Sequence, residues 1–332
     1  MKMDKRINID VLRFLCTLFV VAIHVYPFTF LGEDIDYMIT RVFFRIAVPI
    51  FLMITGYYLL PKSLEHKKKL ILYTKKILSL YFISILIYLP FLFYNGYFKQ
   101  KSILSFLQDI FINGTFYHLW YFPALLLGIW ITYFLLKKYK QNQVGVVVFL
   151  FYLIGIFGDS YYGIIKDIAL LRDFYDVLFT FSTYTRNGLF YVPIFLFIGY
   201  LIAKKEEQTI QSMPLLFLSG IALLCEGGIL YFNEIPKHNS MYFSLLPFSY
   251  FFFSFVIANR GGNHTNLRAF ASWIYILHPI FIILAHFMAK RIPILNHSFV
   301  HYGFVLLLTI GFLFFLNWIR EGIKFGKKEN DQ

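Results

Sequence analysis

Long apolar runs dominate the chain, and they limit what it can fold into. Of its 332 residues, 59% are hydrophobic and only 15% are charged, a balance far from that of a soluble domain. A helix that crosses the hydrocarbon core of a bilayer needs about 20 predominantly apolar residues. The composition therefore predicts an all-α, polytopic membrane protein.

Apolar segments of roughly this length occur ten times, separated by short polar connections. They cover residues 7–28, 41–60, 70–94, 118–136, 144–157, 188–203, 214–232, 241–258, 267–289 and 299–319. The fifth and sixth are the shortest. No internal repeat divides the set, so we predict about ten transmembrane helices in one domain over residues 1–320, followed by a polar cytoplasmic tail at 321–332.

Basic residues concentrate in alternate connections and predict how the helices are oriented. With the N-terminus inside, the basic stretches at 62–76, 137–140 and 204–205 face the cytosol, as the positive-inside rule expects. Both termini are then cytoplasmic, in a multi-pass protein of the plasma membrane. This topology and the anionic inner leaflet explain the net charge of +13, so no nucleic-acid partner is predicted.

Two ionisable residues interrupt the first apolar segment. Arg13 and His24 are eleven residues apart, which in an α-helix places them on one face about 16 Å apart. An ionisable side chain in a membrane helix is costly unless it faces the bundle interior, a partner or water, so the pair indicates a functional site. Alternatively, Arg13 extends to the inner headgroups and His24 is a hydrogen-bonded packing residue. Asp10 is spaced to pair with Arg13.

Other polar residues are expected at the depth of His24, near the outer leaflet. Arg45 lies about as far below the outer end of the second segment, His118 begins the fourth, and Arg186 and Asn187 begin the sixth. Convergent polar groups at one depth indicate a substrate-binding site. The alternatives are an aromatic-belt position for His118 and loop or cap positions for Arg186 and Asn187.

Two regions outside the spans have open interpretations. The longest extracytoplasmic connection, residues 158–187, has an apolar stripe that predicts a short helix on the membrane surface, either a lid over a site or simple packing. Lys75 and Lys76 follow a lysine run at 67–69 and either mark topology or bind a phosphorylated cofactor. Cys16 and Cys225 both lie in apolar runs, so neither a disulfide nor a metal site is predicted.

Several motifs resemble the acyltransferase-3 family of integral membrane acyltransferases. They are IDVLR at 9–13 with a histidine eleven residues after the arginine, IFLMITGYYL at 50–59, HLWYFPALLLG at 118–128 and SWIYILHP at 272–279. The resemblance covers all ten segments and implies the helical bundle of that family.

A closer resemblance is to the membrane half of vancomycin-resistance serine racemases. It rests on YHLWYFPA, FGDSYYGI, TRNGLFYVPIF and KHNSMY. In those proteins a pyridoxal-phosphate domain follows the last helix, whereas this sequence stops at Gln332. Racemisation and pyridoxal phosphate are therefore not expected here.

The family resemblance implies transfer of an acyl group, often acetyl from acetyl-coenzyme A, to a hydroxyl of an envelope glycan or small acceptor. This is transfer of a group other than an amino-acyl group. Deprotonating the hydroxyl needs a base that works near neutral pH, and a histidine suits this task. His24 is the candidate base, Arg13 the candidate residue that holds the donor, and Arg45 a candidate for stabilising charge on the carbonyl oxygen.

The third segment departs from the family pattern. Many members carry two arginines spaced by two residues there, thought to grip coenzyme A, whereas this chain has Lys75 and Lys76. Lysine still binds phosphate, but as a point charge rather than a two-pronged fork. Lys75 and Lys76 are thus the candidate donor-binding residues, and His118, Arg186 and Asn187 the candidate acceptor-binding residues.

A transporter of serine or a similar small amino acid is the rival interpretation, suggested by the racemase resemblance. Transporters usually build a midplane site from broken helices in repeated halves. No repeat is visible, although prolines such as Pro279 are able to bend helices. His278, next to Pro279, either lines a pathway or packs in the core. A membrane anchor or sensor is the third alternative.

The predicted topology is open to cysteine labelling in intact cells. We expect a cysteine at Lys138 to be protected from an impermeant thiol reagent and one at Asp167 to be labelled, because the first lies in a basic connection and the second in a lysine-poor one. Labelling after lysis controls for accessibility. The reverse pattern would overturn the topology.

Overall fold

The computed structural model of the protein describes residues 9–205, 213–259, 261 and 265–330. Throughout these residues the regular secondary structure is helical and includes no strand, which confirms the all-α prediction. The long helices are α1 (Ile9–Val25), α2 (Ala47–Glu65), α3 (Lys67–Tyr94), α4 (Tyr121–Lys138), α5 (Gln141–Phe157), α6 (Ala169–Phe181), α7 (Val192–Lys204), α8 (Met213–Phe232), α9 (Leu245–Ala258), α10 (Thr265–Ala289) and α11 (Ser298–Asn330).

A long helix covers the greater part of each apolar segment identified in the sequence. One long helix, α6, lies outside these apolar segments. It confirms the short helix predicted inside the 158–187 connection. Its Tyr175 is buried and donates a hydrogen bond of 2.7 Å to the carbonyl oxygen of Ile154. Leu170, Phe174 and Val177 are exposed on one side of the helix, and the charged Arg172 and Asp173 are exposed on another, so the helix is amphipathic, as a membrane-surface helix should be.

Short helical elements connect the long ones. They are Thr29–Leu31, Glu33–Asp36, Tyr37–Val42, Phe43–Ile46, Tyr97–Gln100, Ile103–Gln108, Asp109–Asn113, Tyr162–Ile165 and Pro293–Asn296. Tyr37–Val42 is a π-helical turn and Phe43–Ile46 a 3-10 turn, so the chain changes pitch twice immediately before α2. Such departures from α geometry often mark functional positions.

Five helical stretches in the described part of the chain are long and apolar enough to cross a membrane, judged by length and composition. They are Glu33–Glu65, Lys67–Tyr94, Met213–Phe232, Leu267–Ala289 and Ser298–Arg320. Large apolar side chains stand exposed on them, among them Phe82, Phe217 and Trp318, as expected where lipid replaces water. The larger number of about ten spans stays a prediction.

The chain folds as two compact units, unit 1 being Met1–Ala47 with Asn259–Gln332 and unit 2 being Val48–Ala258. In unit 1, α1 packs along α10, and both contact α11. In unit 2, α4 packs against α7 and α3, and α8 against α9. That residues 1–320 work as one transmembrane domain stays a prediction.

Two glycines allow α2 and α7 to approach closely within unit 2. A methyl group on Gly56 would lie 2.1 Å from the carbonyl oxygen of Leu196, and one on Gly199 would lie 2.2 Å from that of Met53. Each glycine is therefore pressed against the backbone of the other helix. Small residues serve this purpose in membranes, where association depends on packing rather than on the hydrophobic effect.

We expect Gly56→Ala and Gly199→Ala each to destabilise the protein by about 1–3 kcal/mol, because the added methyl group meets backbone that cannot turn aside. The matched control is Gly303→Ala on α11, where a methyl group meets nothing within 4 Å. There the better helix propensity of alanine should leave stability unchanged or raise it. Thermal unfolding in detergent measures all three. Equal melting temperatures for Gly56→Ala and Gly303→Ala would contradict the close crossing.

Candidate functional site

Arg13 and His24 lie on the same helix, α1, which runs without interruption from Ile9 to Val25. Their spacing therefore gives the predicted shared face, about 16 Å apart along the axis. Arg13 Nη1 forms an ion pair with the carboxylate of Asp10, which confirms the predicted pairing. The Asp10 side chain is 4% exposed and that of Arg13 17%, so each charge has a partner where little water reaches it.

His24 stacks on a second histidine, supplied by α10. The ring centroids of His24 and His278 are 5.5 Å apart, and the ring planes differ by 25°. His278 is fully buried. From the sequence, His278 either lines a pathway or packs in the core, and in the structure its ring lies against that of the candidate base.

The backbone of α10 determines the tautomer of His278. Its Nδ1 lies 2.8 Å from the carbonyl oxygen of Tyr275 and 3.2 Å from that of Ile274. Pro279 has no N–H, so the Tyr275 carbonyl, one helical turn earlier, lacks its usual donor. Since carbonyl oxygens only accept, we assign the proton to Nδ1 and the lone pair to Nε2.

The chain turns sharply directly after His24. Tyr26 has a φ of 56°, a left-handed conformation that is unusual for a non-glycine residue. The guanidinium of Arg41 lies over its ring, 4.3 Å from the centroid. Strained residues of this kind persist where the surrounding structure holds them and cluster at functional sites. Arg41, which the sequence analysis did not single out, thus lies beside the candidate site.

Arg45 belongs to the 3-10 turn before α2. Its Nε donates a hydrogen bond of 3.4 Å to the carbonyl oxygen of Arg41, so the side chain folds back along its own helical stretch. The sequence predicted the second segment as one uniform helix from residue 41, whereas the structure changes pitch across Arg45. The charge-stabilising role of Arg45 stays a prediction.

The candidate site residues are divided between the two units. Arg13, His24 and Arg45 belong to unit 1, while the remaining candidates belong to unit 2: Lys75, Lys76, His118, Arg186 and Asn187.

Lys75 and Lys76 are exposed on the third turn of α3, and the run at 67–69 is exposed on its first turn. This exposed basic strip fits both alternatives, topological charge and phosphate binding. No group of three or more histidine, cysteine or acidic side chains among the described residues is arranged to hold a metal ion. Cys16 is buried and Cys225 exposed, and both are free thiols.

His118 precedes α4 rather than beginning it, because the helix starts at Tyr121. The ring is buried, 1% exposed, with its centroid 5.0 Å from that of Tyr88 and 5.8 Å from that of Phe116, both in edge-to-face geometry. His118 is therefore enclosed by aromatic rings. Its acceptor-binding role stays a prediction.

Asn187 shapes the turn that leads into α7, which begins at Val192 and not at residue 188 as predicted. Its Oδ1 accepts hydrogen bonds of 3.0 Å from the amides of Leu189 and Phe190. Its Nδ2 donates to the carbonyl oxygen of Tyr184 at 3.1 Å. These contacts match the loop alternative, and a role of Asn187 in binding an acceptor stays a prediction.

Two carboxylates that the sequence analysis did not select organise the loop before α9. Asp159 is fully buried, and its Oδ1 accepts hydrogen bonds from the amides of Ser240 at 2.6 Å and Met241 at 3.0 Å. Glu226 of α8 accepts hydrogen bonds of 2.6 Å from the amides at positions 243 and 244. A lone glutamate inside the seventh apolar segment was the available signal, because a charge in such a run needs partners.

Arg186 lies against this loop. Its Nη1 donates a hydrogen bond of 2.9 Å to Ser240 Oγ. Its guanidinium lies over two aromatic rings, 4.2 Å from the centroid of Tyr184 and 5.2 Å from that of Trp120. The arginine thereby joins three chain segments that are distant in sequence.

The acyltransferase domain that defines the acyltransferase-3 family matches residues 6–318. The chain belongs to this family of membrane proteins, and the resemblance drawn from its motifs is confirmed.

Among its relatives, the chain is 36% identical to a serine/alanine racemase of Enterococcus gallinarum over 322 residues, which are 93% of this chain and 45% of the racemase. It is 34% identical to an amino-acid racemase of Enterococcus faecalis over 302 residues, which are 89% of this chain and 42% of that protein. The chain thus spans less than half the length of these curated relatives. No solved structure matches it significantly.

Proposed function

We propose that the protein is an integral membrane acyltransferase. It moves an acyl group, in the first instance acetyl, from cytosolic acyl-coenzyme A to a hydroxyl acceptor outside, an envelope glycan or a small molecule. Membership of the acyltransferase-3 family supports acyl transfer. One observation supports the assignment to particular residues. The ring of His24 stacks on that of His278, and His24 lies on the same helix, α1, as Arg13.

His24 acts as the general base in this proposal. It takes the proton of the acceptor hydroxyl as that oxygen attacks the thioester carbonyl. The tetrahedral intermediate then collapses, the carbon–sulfur bond breaks, and the thiolate of coenzyme A recovers the proton from the imidazolium. His278 is a positioning residue, since its Nδ1 is held by the α10 backbone and its ring packs on that of His24.

Arg13 positions the donor from below. Its ion pair with Asp10 fixes the guanidinium on the His24 face, about 16 Å further along α1. A thioester arm that enters from the cytosol past Arg13 presents its carbonyl near His24, so the acyl group crosses while coenzyme A does not. Arg45 stabilises negative charge on the carbonyl oxygen, in the manner of an oxyanion hole.

The remaining candidates bind the two substrates. Lys75 and Lys76 attract the phosphates of coenzyme A, which the exposed position of both lysines supports. His118, Arg186 and Asn187 bind the acceptor. The protein resides in a bacterial plasma membrane as a multi-pass bundle of about ten helices with both termini in the cytosol, where the donor is available.

Transport of serine or a similar small amino acid is the second candidate function. The relatives that match most of this chain are named for racemising amino acids, and that favours a role in handling such a molecule. The polar groups at His24 and His278 would then line a pathway rather than perform chemistry.

His24→Ala should lower the rate of acyl transfer about 10²- to 10⁴-fold, the usual cost of removing a general base, while the protein stays folded and inserted. Arg13→Ala should raise the KM for acyl-coenzyme A and also lower the rate. Transfer from acetyl-coenzyme A by purified protein measures both effects, and His297→Ala, an exposed histidine before α11, is the matched control.

Two results would contradict this assignment. Full acyl transfer by His24→Ala would show that His24 is not the general base. Absence of turnover with any acyl-coenzyme A, together with His24-dependent uptake of serine into reconstituted vesicles, would establish the transporter instead.

Lys75→Gln combined with Lys76→Gln should raise the KM for acyl-coenzyme A and flatten its salt dependence, because attraction between exposed lysines and phosphate is screened by salt. Donor titrations at low and high ionic strength measure this. The control is Lys137→Gln with Lys138→Gln, the same loss of charge at exposed lysines at the end of α4. Identical donor titrations for the two double variants would leave Lys75 and Lys76 with a topological role.

A further inference from the structure

Three segments of unit 2 surround the guanidinium of Arg186. Trp120 is the residue before α4, Tyr184 lies in the turn before α7, and Ser240 lies in the loop before α9. The two rings lie 5.2 Å and 4.2 Å from the guanidinium, and the ring of His238 lies 4.5 Å from that of Tyr184. Aromatic and polar side chains therefore surround the cationic guanidinium of Arg186.

These contacts leave part of the guanidinium unsatisfied. Among the described residues its only hydrogen bond runs from Nη1 to Ser240 Oγ. Nε is buried and has no hydrogen-bond partner in the described part of the chain. A buried charged donor without an acceptor is costly, so the packing of Arg186 between loops does not by itself explain the arrangement.

The surrounding contacts hold the guanidinium in one orientation. The guanidinium lies over the two aromatic rings, and Ser240 is fixed in turn, because its backbone amide donates to the buried carboxylate of Asp159 at 2.6 Å. The position of the unsatisfied Nε is therefore fixed. A guanidinium edge held in this way is pre-organised to bind a planar acceptor with two oxygens.

We propose that the Nε edge of Arg186 binds the carboxylate of a small molecule, with Trp120, Tyr184 and His238 lining the site. The inference rests on the proposed function in taking Arg186 as an acceptor-binding residue, and it adds the class of acceptor: a hydroxyl compound that carries a carboxylate. A carboxylate places both of its oxygens on the flat, two-donor edge of the guanidinium, whereas a phosphate bound on the same edge keeps two further oxygens that need other donors.

Binding is tested on the purified full chain without any acyl donor. Radiolabelled L-serine, a hydroxyl compound with one carboxylate, is the probe, and it is competed with serinamide, acetate and inorganic phosphate. We expect serinamide, which lacks only the carboxylate charge, to compete roughly ten- to a hundredfold less well than serine, as for loss of a charge-assisted hydrogen bond. Acetate should compete, and phosphate should compete less well than serine because its further oxygens lose their water without gaining donors.

Variants assign this binding to Arg186. Arg186→Gln should abolish serine binding, and Arg186→Lys should weaken it, because lysine keeps the charge and loses the fork. Arg172→Gln makes the same change of charge at an exposed arginine of α6 that pairs with Asp173, and it should bind serine as the unaltered protein does. Thermal unfolding shows whether each variant folds.

The proposal is overturned if serine does not bind at millimolar concentration, if serinamide or phosphate competes as well as serine, or if Arg186→Gln binds normally. Should Arg186→Gln fail to fold, Arg186→Lys and the ligand series on the unaltered protein decide the matter. If the protein binds a carboxylate through Arg186 but transfers no acyl group, the carboxylate site is correct and the proposed acyltransferase function is wrong.

Discussion

A charged or polar group in an apolar environment needs a partner, and most of the described features of this protein follow from that requirement. Lipid and close-packed side chains provide no water to solvate such groups, so protein groups must do so. Asp10 does this for Arg13. The backbone amides of the loop before α9 do it for Glu226.

The same requirement explains how α10 holds His278. Pro279 removes a backbone donor, and the carbonyl oxygen of Tyr275 would otherwise lack its partner. The imidazole Nδ1 takes that place at 2.8 Å. A missing backbone hydrogen bond, which would cost stability elsewhere, thus fixes the ring of a histidine, and that ring packs on the candidate base. In the motif SWIYILHP, the histidine therefore supplies the hydrogen bond that the proline cannot donate.

Close approach between helices is the second constraint. Without a hydrophobic difference between lipid and side chain, helices associate through tight packing and internal hydrogen bonds. Gly56 and Gly199 each lie against the backbone of the opposite helix, so the main chains of α2 and α7 are in direct contact at these two positions. Unit 1 shows a different device, since the strained Tyr26 ends α1 directly after His24 and is covered by Arg41.

Local features of the fold were predictable from the sequence alone. The apolar segments gave helices because segment length and composition are local properties, and the pairing of Asp10 with Arg13 followed from a spacing of three residues on one helix. Helix starts were less predictable. His118 and Asn187 were expected to begin helices, but α4 and α7 begin at Tyr121 and Val192, since aromatic packing and turn hydrogen bonds compete with helix formation there.

Contacts between distant segments were decided by the tertiary structure. No sequence spacing relates His24 to His278, Arg186 to Trp120, or Asp159 to the loop before α9. For His24 the sequence indicated the need for a partner, because an ionisable side chain in an apolar run is costly. Which partner each one has depends on how helices pack, and packing is set by the shapes of many side chains at once rather than by any periodic pattern along the chain.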